Sequence, residues 1–212
     1  MSETTLQLLF PQPITITDIP EIPEEDHKFL INSYYHETEG SQHNFETTKD
    51  TYILKSIQEG KLVKWINEQI DIYVKSAMAC DNTLKITQSW CLKHQDRTQQ
   101  VFSHSHPNSI ISGAYYIEAP EGSENIRFHK TKGRDAPFIT WEQNQEALVD
   151  QPWCWEWYQI PVQTGRLVLF PSNMLHSVAG AEPKQGIRCV LSFNTWFDGA
   201  FGSALNLTEL GV

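Results

Sequence analysis

The sequence contains neither a C-x-x-C pair nor a long apolar run. Its four cysteines stand far apart, at positions 80, 91, 154 and 189, so no zinc ribbon or dithiol redox motif is indicated. No stretch approaches the roughly 18 apolar residues that a transmembrane helix needs, and no apolar signal segment opens the chain. These absences predict a cytoplasmic protein with reduced cysteines and no membrane partner.

Positive charge is also scarce. The 212 residues include 16 lysines and arginines against 26 acidic residues, which gives a net charge of −10. Such a chain repels a phosphate backbone, because nucleic-acid binding depends on basic contacts that release counterions. The sequence therefore argues against nucleic acid as a partner.

The first 80 residues combine an apolar arm with helical periodicity. Residues 6–16 mix apolar and β-branched residues with two prolines, which favours an edge strand or an extended arm. Residues 20–37 place prolines and acids ahead of an apolar repeat, as at the start of a short helix, and residues 40–44 are typical of a loop. Residues 52–79 predict one or two amphipathic helices, broken at Gly60.

From residue 81 onward the apolar residues alternate, as expected of strands. Candidate strands cover residues 83–93, 109–118, 125–129, 137–140, 154–160, 165–170, 175–178 and 187–197. About eight short antiparallel strands predict a mainly β protein, a sandwich or small barrel, with N-terminal helices (α+β). We expect residues 81–212 to form the core and residues 1–80 to pack on it, in one structural domain. The exposed N-terminal strand suggests a homodimer.

A metal site is suggested by the histidines of "SHSHPN", residues 103–108. In an extended chain residues i and i+2 project to the same side, so His104 and His106 are able to face one ion. Pro107 biases His106 toward an extended conformation. An H-x-H pair alone is equally typical of a polar loop, but His176 in "GRLVLFPSNMLHSVAG" begins a later apolar segment and is a candidate third ligand. His27, His36, His43 and His94 have no partner at ligand spacing and are expected to be exposed or singly hydrogen-bonded, whereas His129 is expected to end a strand.

An anion site is suggested by Arg188, which opens the apolar segment "RCVLSFNTWF". A buried guanidinium needs an anionic partner because it cannot lose its charge. The partner is either one of the 26 acidic residues or a bound carboxylate, which the planar fork would pair bidentately. Ser192 lies on the same face of the predicted strand and is a candidate second contact to the same anion.

Three segments together, "HSHPNSIISGAYYI", "GRLVLFPSNMLHSV" and "IRCVLSFNTWF", resemble the Fe(II)- and 2-oxoglutarate-dependent oxygenase superfamily. They look most like a branch with an H-x-H-P-N-S signature from marine bacteria and their phages. The resemblance implies a double-stranded β-helix, a cupin-like jelly roll. It also implies a dioxygenase that uses Fe(II), 2-oxoglutarate and O₂ to hydroxylate an unidentified small molecule or peptide. On that pattern His104, His106 and His176 bind the metal, while Arg188 and Tyr116 contact the co-substrate.

The sequence departs from that pattern at His106, where the family usually has a carboxylate. A neutral imidazole there leaves the metal one negative charge short and suits zinc as well as iron. Three hypotheses about the function remain open: the dioxygenase, a zinc enzyme with three histidines and a water, and a non-catalytic jelly-roll binding module. Asn108 is an alternative ligand. The tryptophan-rich residues 135–158 are either a substrate lid or an outer aromatic cluster.

Overall fold

The computed structural model describes residues 5–37, 46–94, 100–130, 146, 151–179 and 186–211. Its helices are α1 (Glu24–Ile31) and α2 (Lys61–Ala77), with 3₁₀ turns at Ile53–Ile57 and Pro152–Cys154. Its strands are β1 (Thr15–Asp18), β2 (Tyr35–Glu37), β3 (Glu46–Thr48), β4 (Thr83–His94), β5 (Val101–His104), β6 (Ile111–Glu118), β7 (Ile126–His129), β8 (Trp157–Ile160), β9 (Arg166–Pro171), β10 (His176–Val178) and β11 (Arg188–Asp198).

The two helices begin where the sequence predicts. Pro23 precedes α1, and the acidic residues in its first turn suit the positive end of the helix dipole. Gly60 precedes α2, as predicted, and a Cβ at this position would lie 2.6 Å from the Asp26 carboxylate. That carboxylate accepts a hydrogen bond of 2.9 Å from the Leu62 amide, which caps α2 from the side of α1. The break at Gly60 therefore lets one helix cap the other.

The strands form two antiparallel sheets. The large sheet has the order β1-β9-β6-β11-β4-β3-β2 and the small sheet the order β5-β10-β7-β8. Two facing antiparallel sheets with few helices make a double-stranded β-helix, so the predicted fold class is confirmed. No described helix is long and apolar enough to span a membrane.

Strand alternation divides the core in two. On β6, Tyr115 and Ile117 pack with the helices on the outer face of the large sheet. Ala114 and Tyr116 point instead to the space between the sheets, where Phe128 of the small sheet meets them. The helices therefore fill one face of the large sheet and leave its other face to line the interior of the jelly roll.

Several strands differ from the sequence prediction. The segment 83–93 forms β4 and 187–197 forms β11. The sequence prediction missed β2, β3 and β5, which are short, mostly polar segments without apolar alternation. The predicted strand 137–140 and the predicted loop 40–44 lie outside the described residues.

The N-terminal residues join the large sheet. β1 pairs with β9, as an edge strand should, and β2 and β3 extend the other side beyond β4. Across the described residues the outer edge of β1 has no strand partner. The boundary at residue 80 and the homodimer stay predictions.

Candidate active site

The small sheet brings two of the predicted histidines face to face. His104 ends β5 and His176 begins β10, and the two residues are direct partners in the antiparallel register. Their ring centroids lie 4.3 Å apart. His106 follows β5 and donates its backbone N–H to the Ser172 carbonyl at 2.8 Å, which places its ring 5.0 Å from that of His176. One ring nitrogen from each histidine lies within 4.8 Å of the others.

The hydrogen bonds of the three rings determine which nitrogen is free. The Nδ1 of His104 lies 2.8 Å from the Phe102 carbonyl and that of His176 lies 3.0 Å from the Met174 carbonyl. The Nδ1 of His106 lies 2.6 Å from the side-chain Oδ1 of Asn194. Since each of these oxygens accepts a hydrogen bond, each Nδ1 carries a proton, and the Nε2 of a neutral ring then keeps its lone pair. This arrangement is the one found in metal-binding histidines.

Burial favours the uncharged form of two of the three histidine rings, those of His106 and His176. It lowers the pKa of His176 to about 3, against the hydrogen bond to Met174, which opposes the shift. Burial also lowers the pKa of His106, partly opposed by Asn194 and reinforced by the neighbouring His104. Both rings are therefore neutral near pH 7 and able to donate a lone pair.

The three histidines line a cavity of about 410 Å³ between the two sheets. The large sheet contributes Tyr116, Arg188 and Ser192 to the same cavity. The structure thus brings together all six site residues predicted from the sequence. None of the described residues that line the cavity is an aspartate or a glutamate.

Arg188 is buried in this cavity, and no carboxylate of the described residues pairs with it. It is 3% exposed, and its buried Nε has no hydrogen-bond partner within the described part of the chain. The ion pairs among the described residues involve other cations. Its guanidinium lies 5.2 Å from the ring centroid of Tyr116, whose pKa is raised by burial, an effect that Arg188 opposes. The site therefore presents an unneutralised cation to the cavity.

His94 is buried and not exposed, which leaves the second of the two expectations, a singly hydrogen-bonded ring. The residue is 2% exposed and lines the cavity. It ends β4 directly opposite Arg188 of β11, and this register places it in the cavity wall.

Asn108, Trp155 and Trp157 are not among the residues that line the cavity. Asn108 has a φ of 55°, a left-handed turn conformation that asparagine tolerates, and it is exposed. Trp155 stacks on Tyr158 with ring centroids 5.4 Å apart, and Arg127 lies over Trp157. These contacts favour an outer aromatic cluster for the described part of residues 135–158, while Trp141 lies outside the described residues.

Sequence reasoning missed the residues that hold His106. Asn194 accepts its Nδ1 proton, and Ser112 donates to the same Asn194 oxygen at 2.9 Å. The ring of Trp90 lies 5.8 Å from that of His106. Alternation along β11 already places Asn194 on the face of Arg188 and Ser192, but no local pattern connects it with a histidine 88 residues away.

The fold and the site together define a jelly-roll protein with a three-histidine cluster and a buried arginine that has no carboxylate partner among the described residues. A family model described as "Putative 2OG-Fe(II) oxygenase" matches residues 88–194, just over half of the chain. The chain therefore belongs to this 2OG-Fe(II) oxygenase family. A sequence search of curated proteins finds no match.

Solved structures share the fold at low sequence identity. The non-haem α-ketoglutarate-dependent epimerase SnoN of nogalamycin biosynthesis has a TM-score of 0.58 at 11% identity, over 92% of this chain and 81% of that chain. HygX from Streptomyces hygroscopicus, solved with nickel, 2-oxoglutarate and hygromycin B, has a TM-score of 0.51 at 9% identity, over 87% and 82%. A prolyl-4-hydroxylase from Pseudomonas putida has a TM-score of 0.51 at 10% identity, over 88% and 92%. These likenesses establish the double-stranded β-helix.

Proposed function

We propose that this protein is an Fe(II)- and 2-oxoglutarate-dependent dioxygenase that hydroxylates a second substrate. His104, His106 and His176 would hold the metal, while Arg188, Tyr116 and Ser192 would hold the co-substrate. Together Fe(II) and 2-oxoglutarate supply the reduction of O₂, in which 2-oxoglutarate is decarboxylated to succinate and one oxygen atom passes to a C–H bond of the substrate.

The donor set supports a divalent transition metal. The Nδ1 atoms of the three imidazoles are engaged by oxygen acceptors, which leaves three Nε2 atoms to bind an ion, and one ring nitrogen from each histidine lies within 4.8 Å of the others. Imidazole suits iron, zinc, copper and nickel. The histidines therefore fit Fe(II), although by themselves they do not select it.

The observation that carries the proposal is the buried Arg188 in the same cavity as the histidines. A guanidinium held without a counter-charge binds a carboxylate bidentately and strongly. The Tyr116 hydroxyl and Ser192 stand on the same sheet, where they are able to donate hydrogen bonds to that carboxylate. A ligand with two carboxyl groups, one at each end, would reach from Arg188 to the metal, and 2-oxoglutarate has this shape.

The remaining cavity walls are suited to keeping water away from the reaction. Val190, Phe170 and Ala114 are buried between the sheets, while Trp90 and Phe102 complete the lining. Apolar walls strengthen the attraction between Arg188 and a carboxylate, because the local dielectric constant is low. The chain's own contribution to the reaction is thus placement and exclusion of water.

Calorimetry with Mn(II) as a redox-inert substitute for Fe(II) tests the proposal. We expect 2-oxoglutarate to bind in the presence of Mn(II), and the Fe(II)-loaded protein to form succinate slowly without added substrate. Absence of 2-oxoglutarate binding with either metal would refute the proposal. Stoichiometric zinc in protein purified without chelators, together with metal-dependent hydrolysis, would support the zinc enzyme instead.

A further inference from the structure

His106 differs from the other two histidines in what holds its ring. His104 and His176 are oriented by backbone carbonyls of their own strand segments. His106 is oriented by a side chain, the Asn194 amide, at 2.6 Å. Its tautomer and orientation therefore depend on side chains, which mutation can change, and Asn194 makes the shortest of these contacts.

The Asn194 amide is itself fixed by a network of hydroxyl groups. Ser112 donates to Asn194 Oδ1 at 2.9 Å and lies 3.0 Å from His106 Nδ1. Ser112 also contacts the buried Ser172 at 2.8 Å, and Ser172 donates to Ser109 at 2.7 Å. Asn194 Oδ1 faces both Ser112 and His106, and because an amide oxygen only accepts hydrogen bonds, the histidine must donate through Nδ1.

We propose that Asn194 is a positioning residue for the metal site: it fixes His106 with its proton on Nδ1 and its Nε2 lone pair toward the other two histidines. The inference rests on the proposed function, since it assumes that the three histidines bind a metal. It adds that the partner of His106 is a neutral amide, whereas metal-binding histidines often donate to a carboxylate. All three ligands and the partner of His106 are then uncharged.

Co(II) binding to variants at this position provides the test, because cobalt reports both affinity and ligand geometry. We expect Asn194→Ala to weaken Co(II) binding about 10- to 100-fold, the usual effect of losing the partner of a ligating histidine. We expect Asn194→Asp, which keeps the shape and the acceptor, to bind Co(II) at least as tightly as the wild type. Both variants should shift the visible absorption bands of bound cobalt.

A merely structural role gives a different pattern. If Asn194 only supports the fold, Asn194→Asp should lose affinity as Asn194→Ala does, because it places a charge in a part-buried network. Asn82→Asp is the matched control: the Asn82 side-chain oxygen also accepts a hydrogen bond, from the Cys80 thiol at 3.3 Å, and the residue stands just before β4. It should leave Co(II) affinity and absorption unchanged.

The outcomes separate this inference from the proposed function. If the wild type binds Co(II) and 2-oxoglutarate but Asn194→Ala matches it in affinity and absorption, the role of Asn194 is refuted and the function stands. If the wild type binds Co(II) without 2-oxoglutarate, the function is refuted, while weak Asn194→Ala and recovered Asn194→Asp binding would still support the positioning role. A wild type that binds no Co(II) overturns both.

Discussion

Replacing Arg188 with methionine should weaken the binding of 2-oxoglutarate and raise the stability of the ligand-free protein. Methionine keeps the length and the apolar packing of the side chain but removes the charge and the hydrogen-bond donors. If Arg188 is held for a ligand, the ligand should lose affinity while the ligand-free protein gains stability.

The loss of affinity follows from the burial of the guanidinium, which is 3% exposed. Truncating one partner of a buried, hydrogen-bonded charge pair costs about 2–5 kcal/mol, or roughly 30- to several thousand-fold in Kd. We therefore expect 2-oxoglutarate binding in the presence of Mn(II) to weaken by at least about 30-fold.

The gain in stability follows from the missing counter-charge. A buried charge without a partner carries a desolvation cost, and the Nε of Arg188 has no hydrogen-bond partner among the described residues. Methionine removes this cost but also the contact with the Tyr116 ring, so we expect a net gain of about 1 kcal/mol. For a chain of this size that corresponds to a Tm about 2–4 °C higher without ligand.

Calorimetry and thermal unfolding measure the two effects, and Arg166→Met is the control. Arg166 forms a bidentate pair with Asp18 at 2.7 and 2.8 Å on the surface of the large sheet. Its replacement should leave 2-oxoglutarate affinity unchanged and lower the Tm slightly. An Arg188→Met protein that keeps its affinity, or whose ligand-free Tm falls by several degrees, would show that Arg188 serves the fold.

Three further changes test the site and the fold. His176→Ala should abolish the rise in Tm caused by Mn(II), whereas His129→Ala should preserve it, because His129 contacts Ser177 and lies outside the cavity lining; unchanged stabilisation of the His176 variant would exclude it as a ligand. Gly113→Ala should lower the free energy of unfolding by about 1–3 kcal/mol in urea titrations, since the new Cβ would clash with the Phe193 ring; an unaffected variant would contradict the tight packing of β6 on β11. Burial lowers the pKa of His27, so the unfolded chain takes up its proton first, and the contribution of His27 to stability is complete above about pH 6.5 and declines below it; unfolding titrations between pH 5 and 7.5 should give a shallower pH dependence for His27→Gln, and an equal slope would refute this assignment.

The sequence predicts the fold best where an element carries a long periodic signal. β4 and β11 are 12 and 11 residues long and rich in β-branched and aromatic residues, and α2 keeps one apolar face over 17 residues, so local patterns are sufficient to locate them. β5 has four residues and becomes exposed after Val101. Its strand character comes from pairing with β10, which is a property of the tertiary fold and leaves little trace in a short polar segment.

The candidate site also has a part that the sequence predicts and a part that depends on the tertiary fold. Spacing alone puts His104 and His106 on one side of the chain and Arg188 and Ser192 on one face of a strand, because residues i and i+2, or i and i+4, project to the same side. The register that sets His176 opposite His104, and the contact of Asn194 with His106, depend on chain segments far apart in sequence.

The balance of charge in the cavity also becomes visible only in three dimensions. The sequence has ten more acidic than basic residues, yet no described residue that lines the cavity is acidic, and one is Arg188. A divalent metal would add to this positive charge. The neutral imidazole of His106 would not offset it, whereas a carboxylate ligand at that position would. The negative charge that stabilises the loaded site is therefore expected from the ligand, and a dicarboxylate co-substrate provides it at both the metal and Arg188.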